Sequence, residues 1–515
     1  MGLVMKEGIE LSKYQKNIFD FCGKEKENLI VEAVAGSGKT FTLIELMNQI
    51  PKSKSCVAVS FTRSIAEELQ SKVPKHVRAR TLHQIGRAMF FSNGYLDVKV
   101  DKDKLSKEID KVLKDIPMEI YEHINTINFL KRVIPLIKNT LCEVTVDNLI
   151  NLCNGSDIEM PVGEREVNLV NKILDNCKNN LESIDFDDML WLPYLLQFKS
   201  REYDWVFVDE TQDLTKLQFE IVKFLCKDDS RIVAVGDSRQ SIYGFRGADI
   251  DSMYNFKEFF KCKELPLSIC YRCSKRVIEF ANKIVPEIEF SENAVIGSVS
   301  EIDKSNLLSR VKDGDLVICR TNAPLVSIAL SLIKEKRKAI ILGRDIGNRI
   351  ISMVDAMKEV DLFLLESKVK EYKDKQLSLI EKVKRGQYDR KYKKKLMTTV
   401  DYCDIILLFV SESDSVEHLK SIVSSIFSDT KEGVICSSVH KVKGLEYDNV
   451  FIYGYKQLMP HPMAYTKEEI QQEYNCMYVA ITRAKTNLFI VNDRTLGFKK
   501  YEDDEPEEKE FTFFD

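Results

Sequence analysis

No apolar run in the 515 residues approaches the roughly 18 needed to cross a bilayer. The opening stretch, MGLVMKEGIE, has no apolar h-region of a secretory leader, and Lys6 departs from the myristoylation pattern. A soluble, cytoplasmic protein is expected, nucleoid-associated or, for a viral protein, in the host cytoplasm. Excess positive charge is also missing. Lys and Arg number 76 against 80 Asp and Glu, a net charge of −4. A general polyanion coat is excluded, and any nucleic-acid site must be a local groove. The 13 cysteines include a single C-x-x-C, Cys270 to Cys273, with no second pair at metal-ligand spacing. A zinc or iron–sulfur centre needs about four ligands, so free thiols in a reducing compartment are expected. There are no internal repeats.

What is present is a chain with a core to bury. It is 44% hydrophobic and 30% charged, and its length suggests about three or four structural units. Short β-branched runs alternate with helical spacing. NLIVEAV (28–34), SCVAVSF (55–61), WVFVDE (205–210) and RIVAVGD (231–237) read as buried strands. Buried strands alternating with helices predict a parallel α/β sheet. Between 84 and 184 the strand signals fade and Leu, Ile, Lys, Glu and Asn dominate at helical spacing. A second set of strands follows at 315–320, 339–343, 433–439, 449–454 and 487–491, interrupted by a helix-rich stretch from 346 to 430. Within it, residues 366–395 carry twelve Lys or Arg against five Asp or Glu. A local +7 is either a solvated helix face or a contact to nucleic-acid phosphates. The acidic, then aromatic segment YEDDEPEEKEFTFFD (501–515) is expected to be disordered, with its FTFF stretch a candidate for docking a protein partner.

Chemistry is concentrated in EAVAGSGKT (32–40). It matches the phosphate-loop pattern G-x-x-x-x-G-K-[ST] except at Ala33. The strand–loop–helix context is the one such a loop requires. Backbone N–H groups of Ala35, Gly36, Ser37 and Gly38 would cradle phosphates, Lys39 would reach the β- and γ-phosphates, and the Thr40 hydroxyl would bind Mg²⁺. A methyl group at position 33 is tolerable where φ is negative. VFVDETQD (206–213) ends a strand in carboxylates. Asp209 there would hold the metal, and Glu210 would orient and deprotonate water. These two motifs imply ATP and Mg²⁺ but not what the ATP drives.

VGDSRQSIYGFRGAD (235–249), following EAVAGSGKT and VFVDETQD, resembles motif III of superfamily 1 helicases of the UvrD/Rep type. Other segments are similar to that family's motifs in the same order: LSKYQKNIF (11–19), SFTRSIAEEL (60–69), TLH (81–83), IDFDDML (184–190), LSICYRCS (267–274), SVHKVKGLEYDNVF (438–451) and QEYNCMYVAITRAK (472–485). The resemblance spans residues 11 to about 491. It implies an α/β fold with two RecA-like parallel-sheet motor domains of the P-loop NTPase class, each interrupted by a mostly helical insertion. The expected division is 1–83 and 185–265 for the first motor domain, with 84–184 inserted, and 266–345 and 431–498 for the second. The segment 346–430 forms a short, partly basic second insertion, and 499–515 an acidic tail.

The resemblance also assigns roles. Gln15 would read adenine, Tyr271 would stack on it, Glu446 would bond the ribose, and Gly444 would leave room for the nucleotide. Gln240 would sense the γ-phosphate, while Arg272 and Arg483 would act as arginine fingers, a use suited to a planar, permanently charged guanidinium. Single-stranded DNA would stack on Phe61, Tyr243 and Phe245, with backbone contacts from Thr62, Arg63, His83 and His440. The chain departs from the family at three places. Cys270 and Cys273 flank Tyr271-Arg272 where N-Y-R-S is usual. Gln472, Glu473, Tyr474 and Asn475 stand where a Glu pair and Arg-rich residues are usual. The second insertion is shortened. The expected function is an ATP-dependent helicase that moves 3′→5′ on single-stranded DNA and unwinds at single/double-strand junctions, as a monomer or weak dimer. The rival expectation is a DNA-stimulated ATPase that displaces proteins or senses DNA ends within a complex and unwinds poorly alone.

Overall fold

The computed structural model describes residues 11–242, 251–384, 390–493 and 495, less positions 115, 119, 157, 159–162, 431, 462, 463 and 465. It divides into two compact units. One runs to Arg272 and takes in Val285–Ala294 and Ile380–Lys395. The other holds Cys273–Ile284, Val295–Leu379 and the chain from Leu396. No helix of the described residues is long and apolar enough to span a membrane.

The first unit is built on a six-stranded, wholly parallel sheet. Its strands are β1 (Leu29–Ala33), β2 (Cys56–Ser60), β3 (Val77–Thr81), β4 (Tyr203–Val208), β5 (Cys226–Gly236) and β6 (Lys263–Leu267). The order is β3-β2-β4-β5-β1-β6. Alternate residues of each strand feed two cores. Leu29, Val31, Ala33, Ala58, Phe207 and Val233 pack on one side, with Ile18, Leu43 and Met47 of the N-terminal helices. Ile30, Val57, Val59, Val206, Val208 and Ile232 pack on the other, with Ile109, Leu130, Val133 and Ile173. These last four belong to helices Lys104–Leu113, Ile120–Thr140 and Glu164–Asn179. The helical stretch from 84 to 184 therefore shares one continuous core with the sheet. Both faces being covered is why the strands read as unbroken apolar runs.

A buried ionic cluster fastens those helices. Lys138 Nζ lies 2.7 Å from Asp188 Oδ1, and Lys104 Nζ 2.7 Å from Asp188 Oδ2. Lys104 also donates to the carbonyls of Cys177 and Asn180, at 3.0 and 2.8 Å. Burial pulls the Lys138 ammonium down, but Asp188 and Asp185 outweigh it and hold it above the usual lysine range.

The expected boundary at 265/266 falls inside β6, which pairs with β1 through Leu267. The run KELPL has no β-branched residue, so composition hid an edge strand. Its consequence is that Cys270, Tyr271 and Arg272 belong to the first unit, not the second.

The second unit repeats the plan with β7 (Ser298–Asp303), β8 (Leu316–Cys319), β9 (Ala339–Ile341), β10 (Val434–Ser438), β11 (Tyr447–Tyr453) and β12 (Ala484–Asn492). All are parallel, in the order β7-β12-β11-β8-β10-β9. Between 346 and 430 the described residues are helical, but not all of them leave the sheet. Helix Val416–Ile426 leads into Phe427, which bridges to Ile341 and packs against Gly347 of helix Arg344–Met357. What departs is a pair of long helices, Leu362–Lys384 and Arg390–Val410, joined side to side by a Lys373–Asp404 contact of 2.5 Å. Asp401 anchors this pair by accepting from the backbone N–H of Asn322 and Ala323, just beyond β8.

Replacing Lys138 by Met would strand the charge of Asp188 in the core with one partner fewer. Removing one member of a buried pair costs about 3 kcal/mol or more. Denaturant unfolding of Lys138→Met should therefore give a clearly lowered midpoint for the first unit.

Candidate nucleotide and nucleic-acid sites

In the first unit, the expected site residues follow the C-terminal ends of the parallel strands, where ligands of α/β sheets gather. The loop after β1 leads into helix Lys39–Asn48, whose N-terminus has no side-chain cap. Its orphan N–H groups make an anion site. Gly36 and Gly38 have φ of 68° and 81°, which only glycine adopts without strain. A Cβ on Gly36 would also lie 2.6 Å from Cβ of Arg272 and 3.0 Å from Cys270 Sγ. Ala33, by contrast, is the last residue of β1 and pairs with Leu267, so its methyl sits in the core. Ser37 is 1% exposed, and its Oγ has no hydrogen-bond partner. An orphaned buried hydroxyl in the loop suits a phosphate oxygen.

Around this loop the chain closes in. The Tyr271 N–H donates to Gly36 O at 2.9 Å, leaving the ring half exposed beside the loop. Gln15 is buried, donates to Thr42 Oγ1 at 3.4 Å, and caps its own helix through Ser12. Lys39 sits among Glu210, Asp237 and Asp209. Burial pulls its ammonium down, but these carboxylates together raise it above the usual lysine range. Asp209 has its carboxyl pushed up by burial and by the adjacent Glu210. A divalent cation held by Asp209 and Thr40 would relieve that excess of negative charge, so the residues fit Mg²⁺.

Glu210 is held at φ 49°, ψ 44°, a strained conformation for a non-glycine residue. Its Oε2 accepts from Gln212 Nε2 at 2.6 Å, and Gln212 Oε1 accepts from the Asp237 N–H at 3.0 Å. Asp237 Oδ2 in turn accepts from Gln240 Nε2 at 2.5 Å. The carboxylate after β4 and the glutamine after β5 are thus joined by one chain of hydrogen bonds.

Phe61 is 44% exposed beyond β2, followed by exposed Thr62 and Arg63, the latter paired with Glu67. His83 lies beyond β3, its imidazole pulled down by burial. Tyr243 and Phe245 lie outside the described residues.

In the second unit, Gly444, Glu446, His440 and Arg483 come together differently. Arg483 is 1% exposed. Its guanidinium donates to Val479 O at 2.9 Å, Leu445 O at 3.0 Å and Thr482 Oγ1 at 3.3 Å. It thereby braces the loop that carries Gly444 and Glu446. Gly444 has φ 86°, with open space where a Cβ would point, and Glu446 is exposed. His440 Nε2 is 3.8 Å from Cys476 Sγ.

Comparison with known proteins agrees with this layout. Residues 11–261 match the UvrD/REP helicase N-terminal domain, and residues 433–491 match the UvrD-like helicase C-terminal domain. The chain belongs to the UvrD/Rep helicase family. Among curated relatives, the ATP-dependent DNA helicase PcrA of Staphylococcus epidermidis is 24% identical over 604 aligned positions, covering 91% of this chain and 81% of the relative. The protein of the same name in Staphylococcus aureus is 24% identical over 601, covering 90% and 81%.

Against the UvrD/Rep pattern, the departures now have physical content. Glu473, where the family has a Glu pair, takes a forked bond from Arg320, with Nη2 to Oε1 at 2.6 Å and Nε to Oε2 at 3.0 Å. It also accepts from the His461 N–H, so it ties helix Lys467–Ile481 to the end of β8. Cys270 and Cys273 are both buried, the first against Gly36.

Sequence reasoning missed two residues. Phe186, in IDFDDML, is 58% exposed and meets His83 edge-on at 6.3 Å. Its ring stands in solvent while its acidic neighbours Asp185 and Asp188 are buried. Glu32, the one charge in the apolar run of β1, accepts from both the N–H and the hydroxyl of Ser238 at 2.8 Å. Burial, then repulsion by Asp237, pushes its carboxyl up from 4.5 to about 7, against the pull of the Ser238 bonds. Folded Glu32 therefore keeps its proton through a range where the unfolded chain releases it. Stability falls as pH rises from about 4.5 to about 7. Gln would keep the acceptor and remove the charge. Thermal unfolding should find Glu32→Gln equal to the parent near pH 4 and more stable at pH 8, by on the order of 2 kcal/mol.

Proposed function

We propose that this chain is an ATP-driven helicase motor that moves 3′→5′ on single-stranded DNA and unwinds duplex at single/double-strand junctions. The observation that carries this is the common edge of the first sheet. Phosphate loop, carboxylates and Gln240 stand beyond β1, β4 and β5, while Phe61 and His83, with Phe186 beside them, stand beyond β2 and β3. A phosphate loop and the exposed rings of Phe61 and Phe186 along one edge of the sheet suit a motor that must link ATP to a strand of bases.

In this mechanism the phosphate loop and Lys39 bind the phosphates of ATP, with Gln15 and Tyr271 against the base and Glu446 at the ribose. Thr40 and Asp209 would hold Mg²⁺, which would supply positive charge beside the phosphates. Glu210, steadied by Gln212, orients water and takes its proton. Gln240 reports the γ-phosphate to the strand that ends beside the DNA-stacking residues. Arg272, already beside the loop, stabilises charge on the transferring phosphoryl group. Arg483 is assigned the second finger, as the family resemblance implies, with ATP hydrolysed between the two motor domains. Closure on ATP and reopening after hydrolysis would move the strand by alternating grip. The names of the relatives, ATP-dependent DNA helicases, support ATP and DNA as the ligands.

A second reading is favoured by one observation. Among the described residues, only the helices Leu362–Lys384 and Arg390–Val410 leave the second sheet as an insertion. A motor with so small an insertion could displace proteins or sense DNA ends, unwinding poorly without a partner. Strong DNA-stimulated ATPase with negligible strand separation would favour it.

Duplexes tailed at one end, in DNA and in RNA, test the leading reading. Unwinding is expected from 3′ DNA tails and not from 5′ tails, and Lys39→Ala should abolish both unwinding and ATP turnover with the fold intact. Opening from 5′ tails alone would sink the polarity. Stacking is worth roughly 1–3 kcal/mol per base. Phe61→Ala and Phe186→Ala should each weaken single-strand binding about 5- to 150-fold in a fluorescence titration, without weakening ATP binding.

A further inference from the structure

The second unit carries apolar surface that its own fold leaves uncovered. Val360 is 83% exposed, Phe363 76% and Leu364 51%, at the start of helix Leu362–Lys384. The opposite face of that helix is buried, through Leu365 and Val369. Phe363, Lys370 and Leu377, seven residues apart, lie along one exposed stripe. Exposed lysines at 368, 370 and 375 stand among these residues. Lys370 pairs with Glu366 at the surface, where such a pair is worth little and exchanges readily, while Lys368 pairs with the part-buried Glu359.

The same chain holds a segment of matching chemistry. Residues 501–515 contain eight Asp or Glu and one Lys, a net of −7, and then Phe511, Phe513 and Phe514. The opposite balance, +7 over residues 366–395, is concentrated toward the far end of the helix, with +1 over 366–379 and +6 over 380–395. Topology brings the two within reach. Thr495 lies just beyond the C-terminal end of β12, where Lys304 donates to its hydroxyl at 2.8 Å. Asp401 of the helical pair is fixed just beyond the C-terminal end of β8. β12 and β8 are parallel and separated only by β11. The two points are therefore about 10 Å apart at one edge of the sheet. From Thr495 to Phe511 the chain can span up to about 50 Å.

We propose that residues 501–515 dock within the same molecule on the exposed face of helix Leu362–Lys384. The phenylalanines cover Val360, Phe363 and Leu364, and the acidic run lies along the lysines. Docked in this way, the segment screens an apolar patch and occupies lysines that any other polyanion would have to win from it. The proposal does not depend on the motor reading, because it concerns binding alone.

The test uses a labelled peptide of residues 501–515, titrated by fluorescence anisotropy into the full chain and into a version ending at residue 500. The truncated protein should bind the peptide at least 10-fold more tightly than the full chain, whose site is already filled. The affinity should fall further with added salt. In the truncated protein, Phe363→Ser with Leu364→Ser should weaken binding at least 5-fold. So should Lys368→Gln, Lys370→Gln and Lys375→Gln together. All five positions are at the surface, so circular dichroism should be unchanged. Equal binding by full and truncated chains, or binding indifferent to both sets of substitutions, overturns the proposal. A full chain that sediments as a dimer, and becomes a monomer on truncation, overturns it in favour of a second copy as the occupant.

Discussion

All six strands of the first sheet run parallel and are covered on both faces, and this constraint governs the placement of everything polar. Side chains along the apolar stretches of β1, β2, β4 and β5 face two dry cores, so charged groups are pushed toward the strand ends and the loops beyond them. Because the strands are parallel, they stop on the same side. The phosphate loop, the Asp209–Glu210 pair, Gln240, Phe61 and His83 are thereby gathered from five stretches separated in sequence. The glycine at 36 completes the arrangement, since the chain beyond β6 passes so close that a methyl group there would strike Arg272.

Within that edge, hydrogen bonds rather than apolar packing set the geometry. Glu210, Gln212, Asp237 and Gln240 form one connected series, and Glu32 holds the next residue, Ser238, from β1. A shift at Glu210, or at Glu32 just ahead of the phosphate loop, would thus reach the turn after β5. Buried polar networks are costly when half satisfied, so this one favours a small number of discrete arrangements. That is the property required of a site where nucleotide state must be passed to a second ligand.

Local patterns reached the elements and much of the site. The apolar runs of β1, β2, β4, β5, β8, β10, β11 and β12 are visible because both faces are buried. EAVAGSGKT is visible because φ near 70–80° demands glycine at fixed spacing. β6 was not visible, because an edge strand can be written as KELPL, and the boundary expected at 265/266 passes through it. Nor was Phe186, whose exposure follows from a buried Lys104–Asp188–Lys138 cluster formed by residues some 50 to 80 positions apart.

The sequence by itself determined the α/β class, the nucleotide chemistry and the family, because those rest on short-range requirements. Glycine is needed where φ is positive, carboxylates where a strand ends, and a lysine where phosphates lie. Tertiary structure alone decided which residues share a unit, that Arg483 braces the loop before β11, that Glu32 binds Ser238, and which apolar residues remain on the surface. These are outcomes of long-range packing, in which a side chain's surroundings are supplied by strands and helices distant in the chain. Ala33 joins the two levels. Its departure from the glycine pattern was legible in sequence, and its harmlessness follows from an extended backbone paired with Leu267 in the core.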